Sequence, residues 1–311
     1  MALRRLSAAA VWFTLLLTAC TSSARQAAPA PTTLPPPTSL SATTTSSSTT
    51  TTRPAPTTTT TTLLAGITQR PIAIPCQSIL LRYDDGISPE ALSIVEETIP
   101  IAYEALGESG PLVVHVYASA DTYVASHDPR SQERARADID GGAVASGGAG
   151  VIRIYGPRFL DRDTTSRRLI VIHEYFHTVQ SRLSAGRSRN IPLWLREGTA
   201  RYVEYGVAGD HGYIDYGRRR TAEVRASRGL ESLQTYEEQG GPTFRGESGG
   251  AYRVGFLASE YLESLKGRQA VQQGFWAALR TSADWRGAFT TVFGVSVDQF
   301  YADFEVYRKT L

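Results

Sequence analysis

Apolar residues fall along this chain in three regimes. A predominantly apolar run, Leu6 to Leu17, sits behind Arg4 and Arg5. Over 21–65 large apolar side chains are almost absent, and Ser, Thr and Pro alternate instead. From 66 to 311 apolar residues return at the spacings of helices and strands. Ser88-Pro89-Glu90 predicts a helix start, a Ser cap with Pro at the first helical position. Leu92, Val95, Ile99 and Leu106 carry its apolar stripe to Gly107. Leu112 to Tyr117 predicts a strand, and Ser119-Ala120-Asp121 opens a short helix. A Gly-rich loop over Gly141 to Gly150 leads into Val151 to Tyr155, which alternates as a half-exposed strand. Asp163 caps a helix whose apolar face runs from Leu169 to Leu183, with Gly186 as its stop. A second helix begins at Pro192 and ends at Gly206. The polar stretch from Asp210 to Gly250 has room for one or two short helices. Helical spacing resumes over Ala251 to Lys266, Arg268 to Arg280 and Val297 to Lys309.

The first regime, 1–20, reads as a leader rather than part of the fold, because its apolar run is too short and wrongly flanked for a membrane-spanning helix. Its end, Leu17-Thr18-Ala19-Cys20, resembles a bacterial lipobox. That resemblance implies cleavage before Cys20, a lipid on its sulfur, and a protein anchored to the outer face of a bacterial cell membrane. An ordinary secretory leader is the alternative, and either places the mature chain outside the cytoplasm. The second regime, 21–65, has nothing to bury and reads as a disordered tether. As a coil its length corresponds to about 40 Å, and as polyproline II to roughly 140 Å.

The third regime, 66–311, is long enough for one domain with a sizeable core. The first 65 residues carry four arginines and no acid, so this domain has 28 basic residues against 30 acidic ones. The basic balance of the whole chain therefore belongs to leader and tether, and no nucleic-acid surface is indicated. Of the two cysteines, Cys20 belongs to the leader, and Cys76 reads as a small buried apolar residue without a disulfide partner.

Candidate chemistry concentrates in the helix predicted after Asp163. His173-Glu174-Tyr175-Phe176-His177 spells HExxH. Residues four apart share a helix face, so His173 and His177 can direct two imidazoles at one metal ion. This is the zinc-peptidase arrangement, with Glu174 as general base towards water. Only five histidines occur in the chain, and two of them stand here. A catalytic zinc needs a third protein ligand. A histidine six residues after His177 is excluded, because Leu183 occupies that position. Glu197 is the strongest oxygen candidate, at a spacing that lets a second helix return against the first.

The segment around Glu197, Trp194-Leu195-Arg196-Glu197-Gly198-Thr199-Ala200-Arg201-Tyr202-Val203-Glu204-Tyr205, resembles the WLNEGFAxYVEY segment of the aminopeptidase-N family. It is also similar to the WLxEGxA segment of bacterial peptidase-MA-like domains, and the two-helix layout resembles gluzincin metallopeptidases. By that resemblance Glu197 is the third zinc ligand, and Gly198 and Ala200 allow close packing between the helices. The chain has no GxMEN segment, which in the aminopeptidase-N family captures a free amino terminus. The peptidase-MA-like group is therefore the better match. The likeness is specific over 173–205, and Val295 to Glu305 is similar to the closing helix of such domains.

The resemblance implies a downstream Tyr or His to stabilise the oxyanion. Tyr252 is the first candidate and His211 the second, each with a plain packing or surface role as its alternative. Glu204 shares a helical face with Glu197 and reads either as an acceptor for a ligand imidazole or, more simply, as a solvated carboxylate. His115 reads as a structural strand residue, and Val151 to Tyr155 as either a core strand or the rim on which a peptide could lie. The expectation is an α+β, zincin-like domain with strands in its N-terminal part and helices in its C-terminal part. Its expected activity is zinc-dependent hydrolysis of peptides, endopeptidase in type, using one Zn²⁺. The rival expectation is a non-catalytic surface module that keeps zinc for structure or binds cell-wall material.

Overall fold

The computed structural model describes residues 61–64, 66–75, 77–240 and 248–311. The leader with Cys20, nearly all of the tether, and Cys76 lie outside the described residues. The last part of the Thr-rich stretch is already folded: Thr61–Leu64 forms strand β1, so the ordered unit starts before residue 66. No helix among the described residues is long and apolar enough to cross a membrane.

All strands precede residue 156. After β1 come β2 (Ile67–Ile72), β3 (Ile79–Asp84), helix α1 (Pro89–Leu106) and β4 (Leu112–Tyr117). Helices α2 (Ala120–Ala125) and α3 (Gln132–Asp140) then lead to β5 (Ala145–Gly148) and β6 (Val151–Tyr155). The sheet order is β1-β2-β3-β4-β6-β5. The three central strands β3, β4 and β6 run parallel, while β2 and β5 flank them antiparallel. Ser88 caps α1 as expected, its hydroxyl accepting from Ala91 N at 3.2 Å.

The remainder is helical. It comprises α4 (Gly156–Leu160), α5 (Thr164–Leu183), α6 (Leu193–Asp210), α7 (Tyr216–Ser227), α8 (Leu233–Gly240) and α9 (Ser248–Lys266). A π turn over Ala270–Gly274 enters α10 (Phe275–Ala278), followed by α11 (Trp285–Phe293) and α12 (Val297–Arg308). Strands first and helices after make the class α+β.

One sheet face packs on the helices. Leu81, Val114, Val116, Ile152 and Ile154 are fully buried there and join α1 and α5 in one core. The opposite face carries the row Arg82, His115 and Arg153 in register across β3, β4 and β6. His115 Nε2 meets Asp84 Oδ1 at 3.1 Å on that face, as a structural strand residue would. Tyr117, Tyr123, Ala135 and Ile139 form a small second cluster where α2 and α3 cover it.

Four readings are revised here. The Gly-rich stretch contains a strand, β5, and this strand forms the edge of the sheet beside β6. Val151 to Tyr155 is therefore an interior strand, paired on both sides, and not a rim. Helix α6 runs past Gly206 to Asp210, because a glycine inside a well-packed helix costs only about 1 kcal/mol. Helix α11 also lies in a stretch for which no helix was expected.

Candidate metal centre

Helix α5 starts where its cap dictates. Asp163 Oδ1 accepts from Ser166 N at 2.9 Å. Arg167, itself buried, fixes the helix entry by donating to the carbonyls of Phe159 and Leu160 and to Glu90. From there Val171, Ile172, Tyr175, Phe176 and Val179 face the core. The other side of the helix presents His173 and His177 one turn apart, their ring centroids 4.7 Å from each other.

Helix α6 crosses against α5 and brings Glu197 to the two imidazoles. Glu197 Oε2 lies 3.1 Å from His173 Nε2 and 3.0 Å from His177 Nε2. The two Nε2 atoms are 3.1 Å apart. Each imidazole also has a partner on its far side. His173 Nδ1 lies 2.6 Å from Glu204 Oε2, and His177 Nδ1 lies 2.7 Å from Gln180 Oε1. Gln180 Nε2 donates to the carbonyl of Arg196 at 3.1 Å, so its oxygen is the atom turned to His177. With Nδ1 of each ring donating outward, both Nε2 atoms turn lone pairs inward. Arg196 Nε donates to Glu197 Oε1 at 2.9 Å, which leaves Oε2 for the interior.

Three lone-pair atoms facing one another at such distances repel unless positive charge, a proton on an imidazole or a metal ion in its place, lies between them. A tetrahedral zinc with two nitrogens and one oxygen needs about 3.3 Å between ligand atoms, a few tenths more than is found. The donor set fits zinc, and a small outward adjustment completes it. Among the described residues this is the one group of His, Cys, Asp and Glu so arranged. The electrostatics agree. Burial disfavours charge on His173, yet Glu204 and Glu197 outweigh it and hold its pKa well above the ordinary histidine range. Burial likewise works against a charged Glu197, but His177, Arg196 and the imidazole hydrogen bonds hold it well below the usual carboxylate range. The pocket is built to keep positive charge.

Glu174 is placed differently. Its carboxylate is buried and has no hydrogen-bond partner among the described residues. Burial pushes its pKa up, against the pull of the two imidazoles. It lies against the edge strand: a Cβ on Gly147 would stand 3.0 Å from Glu174 Oε2 and closer still to the Glu174 carbonyl oxygen. Only glycine lets β5 approach so near. The hairpin that carries it is tied to the same helix, since Ala149 N donates to Ser181 Oγ at 3.2 Å. Ala149 and Gly150 both have positive φ, the twist a two-residue hairpin turn requires.

Of the two oxyanion candidates, Tyr252 on α9 is brought to the site. Its ring lies parallel to that of His173 at 6.1 Å, and burial together with the nearby Glu197 charge pushes its hydroxyl pKa up. His211 is not. It is an exposed residue stacked on Tyr213 just past the end of α6, fourteen residues and so about 21 Å of helix from Glu197.

Glu204 is no solvated carboxylate, as its buried bond to His173 shows. Its position seven residues after Glu197 already held that signal. Gln180 and Arg196 were missed altogether. Gln180, three residues after His177, shares its helix face, which is the one trace of it in the sequence. Removing its amide as Gln180→Met should weaken zinc affinity about 10- to 100-fold with the fold intact, as outer partners of metal-bound imidazoles generally do. Competition against a calibrated chelator measures this, and unchanged affinity refutes the role.

No family profile and no curated protein matches this chain. Among solved structures, an M1 zinc metallopeptidase from Deinococcus radiodurans is similar, with TM-score 0.48 and 16% identity over 77% of this chain and 51% of that one. A mutant of a two-domain M1 zinc metallopeptidase bound to L-tryptophan gives TM-score 0.47 and 16% identity, covering 77% and 51%. A mutant of the Deinococcus radiodurans enzyme bound to a Tyr-Ser-Ala substrate gives TM-score 0.46 and 16% identity, with the same coverage. This chain spans about half the length of these structures.

Proposed function

We propose that this chain is a zinc-dependent endopeptidase held outside the cytoplasm by a lipid on Cys20. The observation that carries the reading is the pairing of two features. Three inward-facing ligand atoms converge from His173, His177 and Glu197, and a buried carboxylate with no hydrogen-bond partner among the described residues, Glu174, stands beside them.

Zinc bound there supplies Lewis acidity, lowering the pKa of water and polarising a carbonyl. Glu174 accepts the proton of the attacking water and returns it to the leaving amine, and its desolvated position favours both transfers. Tyr252, whose ring lies beside that of His173, donates its hydroxyl hydrogen to the carbonyl oxygen as that oxygen gains charge. Glu204 and Gln180 hold the imidazoles in one tautomer throughout.

The edge strand supports an internal cleavage site. Among the described residues no strand pairs with the outer side of β5, and an extended peptide adds there as a further strand, passing Glu174. Ala145 to Gly150 contains no acid that would fix a substrate's ammonium group. Of the other acids of the centre, Glu197 is engaged by both imidazoles and Arg196, and Glu204 by His173.

Metal analysis combined with an unbiased peptide library tests the proposal. One zinc per chain and chelator-sensitive cleavage within peptides support it. Zinc without cleavage assigns the centre to a structural or binding module. Release of Cys20→Ala from membranes checks the anchor, and unaltered fractionation refutes it.

A further inference from the structure

Arg196 does more at this centre than the centre needs. Its Nε donates to Glu197 Oε1 at 2.9 Å, and one such bond is enough to orient the ligand carboxylate. The rest of the guanidinium is left over. Its terminal nitrogens have no partner among the described residues, and the side chain keeps 20% of its surface exposed. The group is thus neither an internal clamp nor a freely solvated arginine. It lies within electrostatic reach of Glu174 and Tyr252, the residues that flank the reacting position.

The anchoring matters. A guanidinium held at Nε cannot rotate freely, so its two outer N–H edges point in a set direction. A planar fork of donors matches a carboxylate through two parallel hydrogen bonds. We infer that Arg196 is a specificity-determining residue that binds a carboxylate of the substrate close to the scissile bond. The carboxylate comes either from a chain terminus or from an Asp or Glu side chain. This inference rests on the peptidase reading above.

The electrostatics also favour it. Glu174, Glu197 and Glu204 bring three carboxylates to a centre that would hold one divalent cation, so the ion alone does not offset them. Arg196 adds a positive charge held in place by Glu197 and still partly exposed.

The test uses matched peptides that a library shows to be bound or cleaved. One pair differs only in a free or amidated C-terminus, and others exchange Asp for Asn or Glu for Gln at each position near the cut. The wild type should prefer one carboxylate-bearing member by about 10- to 100-fold in KM, with kcat little changed, the range expected for a charge-assisted pair. Preference in the first pair assigns the chain terminus, and preference in the others assigns a side chain. Arg196→Gln should abolish the preference, and Arg196→Lys should retain part of it. Zinc content is measured on both, because Arg196 also steadies Glu197. Equal KM within every pair of the wild type overturns the inference and leaves the peptidase reading standing. So does a preference that survives in Arg196→Gln, or a loss confined to kcat, which would assign Arg196 to the reacting carbonyl. If no peptide is bound or cleaved, both readings fall.

Discussion

Glu174→Gln should retain zinc at the wild-type stoichiometry and lower kcat by about two to four orders of magnitude, the usual contribution of a positioned general base. Gln preserves the size and shape of the side chain, so β5 can keep its close approach at Gly147. The ligands are untouched, because Glu174 bonds to none of His173, His177 or Glu197. Only the proton-accepting carboxylate disappears. Zinc analysis and single-turnover kinetics together decide the matter. Wild-type turnover means Glu174 is not the base, and zinc loss means its role is structural.

Gly198→Ala should destabilise the domain by about 2 kcal/mol or more, although alanine is the better helix former by roughly 1 kcal/mol. The sign is set at the crossing of α6 and α9, which share the most extensive contact between any two elements. A Cβ on Gly198 would lie 2.8 Å from the carbonyl oxygen of Gly255 and closer still to that residue's Cα and carbonyl carbon. These are backbone atoms and cannot rotate aside. On the other strand of the crossing, Gly255 faces the backbone of Trp194 in the same way. The helices must therefore separate, straining the Thr199–Ser259 hydroxyl contact between them. For a domain of this size the loss amounts to roughly 4–8 °C in Tm. Activity should fall as well, since Tyr252 rides on α9 three residues before Gly255. An unchanged Tm in thermal unfolding would show that the crossing is looser than described.

Much of the centre was legible because its signals are local. HExxH places two imidazoles on one helix face whatever surrounds them, and Asp163 and Ser88 act on donors only three residues away. Glu197 was legible through spacing and a resembling segment. What surrounds these residues was not legible, for a different reason in each case. Gly198 was expected to ease packing between the two ligand helices, yet its neighbour is Gly255 on a third helix, far along the chain. His211 stood as the second candidate after Tyr252 until the length of α6 carried it away from Glu197. β5 was invisible, because Ala145-Ser146-Gly147-Gly148 has almost no strand propensity and forms only through pairing with β6.

The division follows from the range of the forces involved. Helix periodicity, capping and ligand spacing act within a few residues, so the chain alone determined the α5 motif, the α+β class and the candidate ligands. The tertiary structure decided which residues complete them. Gln180 and Glu204 back the imidazoles, Arg196 steadies Glu197, and Gly147 admits the edge strand against Glu174. Each of those contacts depends on how two elements pack, and packing is settled by the whole core rather than by any one segment.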